Sequence, residues 1–190
     1  MTTVSIIGNG NMGTAIGGIV AAGGNTVEFV GRDASEPITG DLVVLAVPHT
    51  SLDEIVAARG AELAGKVVVD ITNPLNFDTF DSLTVPVGSS AAAEIQTKLP
   101  ASTVVKAFNT TFAGTLVGKQ IGDQSTTVLI AGNDTSAKQT LAAAVEAGGV
   151  SALDAGSLSR AHELEALGFL QLTLAAGEQI SWTGGFAVTR

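Results

Sequence analysis

Apolar positions along the chain fall into short unbroken runs, separated by stretches in which they recur every three or four residues. That alternation is expected of strands and helices taking turns. Residues 4–7, 26–30, 41–47, 66–71 and 103–108 read as strands. Between the first two, Met12, Ala15, Ile16, Ile19 and Val20 mark a helix that Gly23-Gly24-Asn25 stops. Helices are also expected over 51–64 and over 89–99, the latter closed by Pro100. The second half repeats the pattern more weakly: strand 126–131, helix 134–147, strand 149–153 and a long helix over 157–176. The expectation is an α/β fold with a doubly wound, mostly parallel sheet in three layers.

One connection breaks the pattern. The segment from Arg32 to Asp41 is too short for the helix, strand and helix of a full second crossover, so it reads as a loop or a single turn. No linker or internal repeat divides the 190 residues, which are expected to form one domain with a helical extension from about residue 154. In the last helix Leu164, Leu167, Phe169, Leu170, Leu172 and Leu174 cover most of the circumference. Either the sheet and C-terminal tail bury it, or part of it faces a second copy in a homodimer.

The first strand runs directly into Gly8-Asn9-Gly10-Asn11-Met12-Gly13, a Gly-x-Gly-x-x-Gly spacing. In a strand-turn-helix context the first glycine permits the tight turn and the second lets backbone amides approach a pyrophosphate. The third allows close packing of helix on strand. The helix N-terminus adds free N–H donors and the positive end of its dipole. With 23 glycines in the chain the spacing alone is weak; the flanking strand and helix give it meaning.

Composition narrows the remaining classes. A net charge of −9 with nine Lys plus Arg argues against a nucleic-acid surface. Without cysteine there is no disulfide, thiolate metal site or cysteine nucleophile. His49 and His162 lie far apart, which disfavours a histidine metal site, and neither a Gly-x-Ser-x-Gly elbow nor a Walker Gly-Lys-Ser/Thr occurs. Met1-Thr2-Thr3 carries no basic leader, and the longest apolar run, 42–47, is far shorter than a membrane span. A cytoplasmic protein without a membrane or nucleic-acid partner is therefore expected.

In an open parallel sheet, ligands collect beyond the carboxyl ends of the strands. The candidates there are Gly8 to Met12, Gly31 to Asp33, Val47-Pro48-His49, Thr72-Asn73-Pro74-Leu75 and Lys106 to Thr110. At the end of the second strand an arginine suits a 2′-phosphate and an acidic residue suits a ribose 2′-hydroxyl. Arg32 follows Gly31 directly and favours NADP, whereas Asp33 keeps NAD open. His49 reads either as part of a nicotinamide pocket or as a polar loop residue, and Lys106 as a strand-terminal cation. Asn109 is suited to bonding a carboxamide. No acid/base pair or nucleophilic triad is visible, so no catalytic side chain is assigned. Hydride transfer between two cofactors needs none, because the protein mainly positions two rings.

Five segments occur in the order seen in the NADPH-dependent F-420 reductase family: Gly8 to Gly13, Ala46-Val47-Pro48, Asn73-Pro74-Leu75, Val105 to Asn109, and Asp154 to Leu158. Over nearly its whole length the chain resembles that family, which is similar to the cytosolic domains of STEAP metalloreductases and the N-terminal domain of pyrroline-5-carboxylate reductases. The resemblance implies a Rossmann-type domain, often dimeric, that moves hydride between NADP(H) and a flavin or deazaflavin. It implies that Gly8, Asn9, Gly10, Asn11 and Met12 hold pyrophosphate and that Arg32 holds the 2′-phosphate. Val47, Pro48 and His49 would border ribose and nicotinamide, with Asn73 and Pro74 nearby. Phe108 and Asn109 would shape the second-ring pocket. Reduction of a small imine or carbonyl and an NADP(H)-binding redox sensor are the alternative readings.

Overall fold

The computed structural model describes residues 1–189. Seven strands form one sheet: β1 (Thr3–Ile7), β2 (Thr26–Val30), β3 (Leu42–Leu45), β4 (Val67–Asp70), β5 (Thr103–Lys106), β8 (Thr127–Gly132) and β9 (Ser151–Gly156). Their order across the sheet is β2-β1-β3-β4-β5-β8-β9. All neighbours run parallel except β5 and β8. A small hairpin, β6 (Gln120–Ile121) and β7 (Gln124–Ser125), stands apart.

The helices are α1 (Asn11–Ala22), α2 (Leu52–Leu63), α3 (Ala91–Lys98), α4 (Ala113–Gly118), α5 (Thr135–Ala147) and α6 (Ala161–Ala176). The two-residue period of the strands sorts their side chains to opposite layers. Leu42 and Val44 join Val4, Ile6 and the α1 residues in one core, while Val43 and Leu45 join Ile7, Ile55 of α2 and Ile95 of α3 in the other. The strands are apolar on both faces because helices cover both.

Two helix starts follow from side-chain caps. Ser90 Oγ accepts from Ala93 N at 3.1 Å, and Asp134 Oδ1 accepts from Ala137 N at 2.8 Å. The final helix begins later than the apolar pattern suggests. Residues Leu158–Arg160 form a separate 3₁₀ turn, with Leu158 N held by Asn133 Oδ1 at 3.0 Å. The periodicity also passes over α4 and the hairpin, since six residues and two-residue strands are too short to show a period.

The segment between β2 and β3 is indeed a loop, and side chains fix it along its length. Ile38 enters the core, Gly40 N donates to Ser5 Oγ at 2.9 Å, and Lys66 Nζ donates to Gly40 O at 2.8 Å. The inward face of α6 is mixed: Glu165 and Gln171 are buried beside Gly168 together with Ala161, Leu164 and Ala175, while Leu170 remains 49% exposed. No helix among the described residues is long and apolar enough to cross a membrane.

Candidate functional site

Strand order reverses on either side of β1, and the Gly8–Gly13 loop leaves β1 at that point. Each glycine has a different requirement. Gly8 has φ +105°, and a Cβ there would run into the Ala46 carbonyl. A Cβ on Gly13 would strike the Gly8 carbonyl, which explains how α1 comes so close to the strand. At Gly10 a Cβ would meet nothing within 4 Å, so the protein's own packing does not require a glycine there.

A cavity of ≈ 510 Å³ brings together Gly8, Asn9, Gly10, Gly31, Arg32 and Pro48. Arg32 is exposed at its margin, with Nη1 3.4 Å from Ser51 Oγ. Asp33 turns its Oδ1 to accept from Ser35 Oγ at 3.0 Å. A second cavity, of ≈ 430 Å³, joins Asn11, Met12, Asn73 and Asn109 to Ile71 and Trp182. His49 lines a third, of ≈ 370 Å³, between α2 and α3. Burial holds the His49 imidazole below its ordinary pKa, against the opposing pull of the Asp70 carboxylate.

Three expected residues take other places. Val47 is buried behind Gly8. Pro74 is buried, and its carbonyl accepts from Thr84 N and Oγ1. Phe108 is fully buried with its ring in the core, so it does not wall a second-ring pocket. Its positive φ of 64° turns the chain so that the backbone, and not the aromatic ring, leads into Asn109.

Asn73 and Asn109 clasp each other. Asn73 Nδ2 donates to Asn109 O at 2.9 Å, and Asn109 Nδ2 donates to Asn73 Oδ1 at 3.0 Å and to Leu164 O at 2.8 Å. Two acceptors facing one nitrogen fix the orientation of the Asn109 amide. Its Oδ1 is left buried without a partner among the described residues. A buried acceptor without a donor is costly, and Thr72 Oγ1, beside Asn73 in the chain, is in the same position. Gly168 permits α6 to sit here, because a Cβ would strike both asparagine side chains.

Below the clasp lies an ion cluster that sequence reasoning does not reach. Lys106, taken as a strand-terminal cation, is fully buried, with Nζ 2.8 Å from Asp70 Oδ2, 2.8 Å from Glu165 Oε1 and 2.6 Å from Thr72 O. Asp70 and Lys106 are direct neighbours in register across β4 and β5. Glu165 also accepts from Ala91 N at 2.9 Å and Ala92 N at 3.4 Å, at the start of α3. Burial pushes the Glu165 carboxyl above its usual range, and Lys106 holds part of that rise back. The cluster ties the ends of two strands to α3 and α6. Among the described residues no group of His, Cys, Asp and Glu is placed to hold a metal ion.

The reversed strand order, the glycine turn and the crevice beyond the strand ends define a Rossmann-type domain of the dinucleotide-binding class. Its sequence is related to the F420-dependent NADP reductase of Methanocaldococcus jannaschii, 31% identical over 140 residues that span 72% of this chain and 61% of the relative. It is also related to the rat metalloreductase STEAP3, 38% identical over 107 residues, 56% of this chain and 20% of the relative. The chain thus spans less than two thirds of either relative. A crystal structure from Arthrobacter sp. FB24, described as an F420-dependent NADP-reductase, superposes over 100% of both chains with a TM-score of 0.84 and 26% identity. No family model matches.

Proposed function

We propose that the protein is an NADP(H)-dependent oxidoreductase that passes hydride between nicotinamide and a flavin- or deazaflavin-type acceptor. The observation that carries this reading is the pair of cavities flanking the glycine loop, one lined by Gly8, Gly10 and Arg32 and the other by Asn11, Met12, Asn73 and Asn109. The open space at Gly10 fits a pyrophosphate on the amides opening α1, and Arg32 fits the 2′-phosphate. Asn109, which lines the second cavity, is placed to orient the nicotinamide through its carboxamide. When bound, the nicotinamide supplies the hydride chemistry. Ile71, Met12 and Trp182 give the neighbouring cavity apolar walls that exclude water and fit a flat ring. The similarity to named F420-dependent NADP reductases supports a deazaflavin as that ring.

Fluorescence titration with NADPH and NADH tests the reading. Arg32→Ala is expected to weaken NADPH about 10- to 100-fold while leaving NADH nearly unchanged, the loss of one charge-assisted phosphate contact. Equal, very weak binding of both cofactors by the native protein would sink the assignment. Anaerobic turnover of NADPH with flavin or deazaflavin separates an oxidoreductase from a sensor that binds without reacting.

Beside this site Leu170, Trp182 and Phe186 are 49%, 54% and 43% exposed, which suits contact with a second copy. Sedimentation velocity at micromolar concentration is expected to show a dimer, and a monomer alone would refute that part of the proposal.

A further inference from the structure

The segment Gly31 to Glu36, whose first two residues line the glycine-loop cavity, has neither strand nor helix of its own, yet one buried side chain organises it. Arg59 of α2 is 1% exposed. Its Nη1 donates to Gly31 O at 2.6 Å and lies 3.5 Å from Asp33 O, and its Nη2 donates to Glu36 O. The remaining donors go to Glu62: Nε to Oε1 at 3.2 Å and Nη2 to Oε2 at 3.1 Å. Glu62 Oε2 in turn accepts from Ile38 N at 3.1 Å, and this partner set holds the Glu62 carboxyl below its usual range. One guanidinium therefore collects carbonyls that a longer crossover would satisfy with its own backbone.

The placement bears on Arg32. The carbonyls on either side of it, Gly31 O and Asp33 O, face the same Arg59 nitrogen, so the backbone of Arg32 is held at both flanks. Among the described residues, its exposed guanidinium has only the distant contact to Ser51 to orient it. A long side chain with few contacts of its own is directed by its backbone, and ordering the backbone beforehand removes part of the entropy cost of binding.

We propose that Arg59, braced by Glu62, is a positioning residue for cofactor selection. It presents Arg32 to the 2′-phosphate without touching the cofactor, in place of the shortened crossover. The inference rests on the reading that Arg32 meets that phosphate.

Dissociation constants for NADPH and NADH should be measured for the native protein, Arg32→Ala, Arg59→Lys and the double variant, alongside thermal melting. Lysine keeps the charge but loses the fork that spans three carbonyls. Arg59→Lys is expected to weaken NADPH about tenfold and NADH less than twofold, and to add little on the Arg32→Ala background, since residues acting through one contact are not additive. Glu62→Gln, which keeps the shape and removes the brace's charge, is expected to shift NADPH in the same direction by less; it carries the test if Arg59→Lys does not fold. Amides 31–38 should exchange hydrogen faster in either variant.

Parallel loss of both cofactors, additive effects in the double variant, or undiminished NADPH preference in a folded variant with a loosened loop would each overturn the proposal. A native protein that binds both cofactors alike, with no effect of Arg32→Ala, would instead overturn the phosphate reading beneath it.

Discussion

Lys106→Met is expected to destabilise the protein by about 3–5 kcal/mol at neutral pH, the range for removing one partner of a buried ion pair. The methionine fills much the same volume, so the loss is electrostatic more than steric. It leaves Asp70 and Glu165 buried without their shared cation. The pH dependence should carry a specific sign. Glu165 already lies above its usual range because of burial, and Lys106 is the main force opposing that rise. Without Lys106 the folded protein holds a carboxyl proton more tightly than the unfolded chain does. Stability is then greatest at pH values below the ordinary carboxylate pKa, and falls as pH rises through the elevated folded value. Urea unfolding of Lys106→Met should therefore show partial recovery from pH 7 toward pH 5. Lys106→Met combined with Glu165→Gln should recover stability at pH 7, because it removes one uncompensated charge while the amide oxygen still accepts from Ala91 N. A single variant as stable as the native protein at pH 7 would show that the cluster does not hold α6 to the sheet.

The strands and the cofactor loop were readable because each has a local cause. Buried parallel strands need continuous apolar runs, and Gly8 and Gly13 sit where the turn and the close packing leave no room for a Cβ. The roles of Arg59, Lys106 and Glu165 were not readable, since their partners lie on other elements. Glu165 reaches Ala91 across 74 positions, and Arg59 reaches Gly31 across 28. A local signal did exist in hindsight. Glu165 stands between Leu164 and Ala166 in the mainly apolar last helix, and Asp70 and Lys106 each end an apolar strand. The apolar circumference of α6 leaves burial and a second copy both open, and the structure buries Leu164 beside Glu165 and Gln171 while Leu170 stays 49% exposed. Phe108, which the resemblance places at the second-ring pocket, sits instead in the core at a positive φ of 64°.

Gly10→Val and Gly8→Ala should part ligand binding from folding. Gly10 has φ −69° and ψ −173°, an extended conformation open to any residue, and a Cβ there meets nothing within 4 Å. Valine at this position is expected to lower the melting temperature by only a few degrees, the cost of a poorer N-cap residue for α1. Its branched side chain would fill the space beside the amides that open α1, displacing a pyrophosphate, so NADPH and NADH affinity should both fall at least about 100-fold, or roughly 3 kcal/mol. Gly8→Ala should do the reverse in order of cause. An alanine would be strained at φ +105° and would strike the Ala46 carbonyl, forcing β1 and β3 apart at the crevice. Its melting temperature should drop, with cofactor affinity lost as a consequence. The informative comparison is the melting shift on adding NADPH. The native protein should gain stability by mass action, whereas Gly10→Val should melt near the temperature of the ligand-free native protein and gain none. A Gly10→Val protein that retained the full NADPH-induced shift would place the dinucleotide elsewhere.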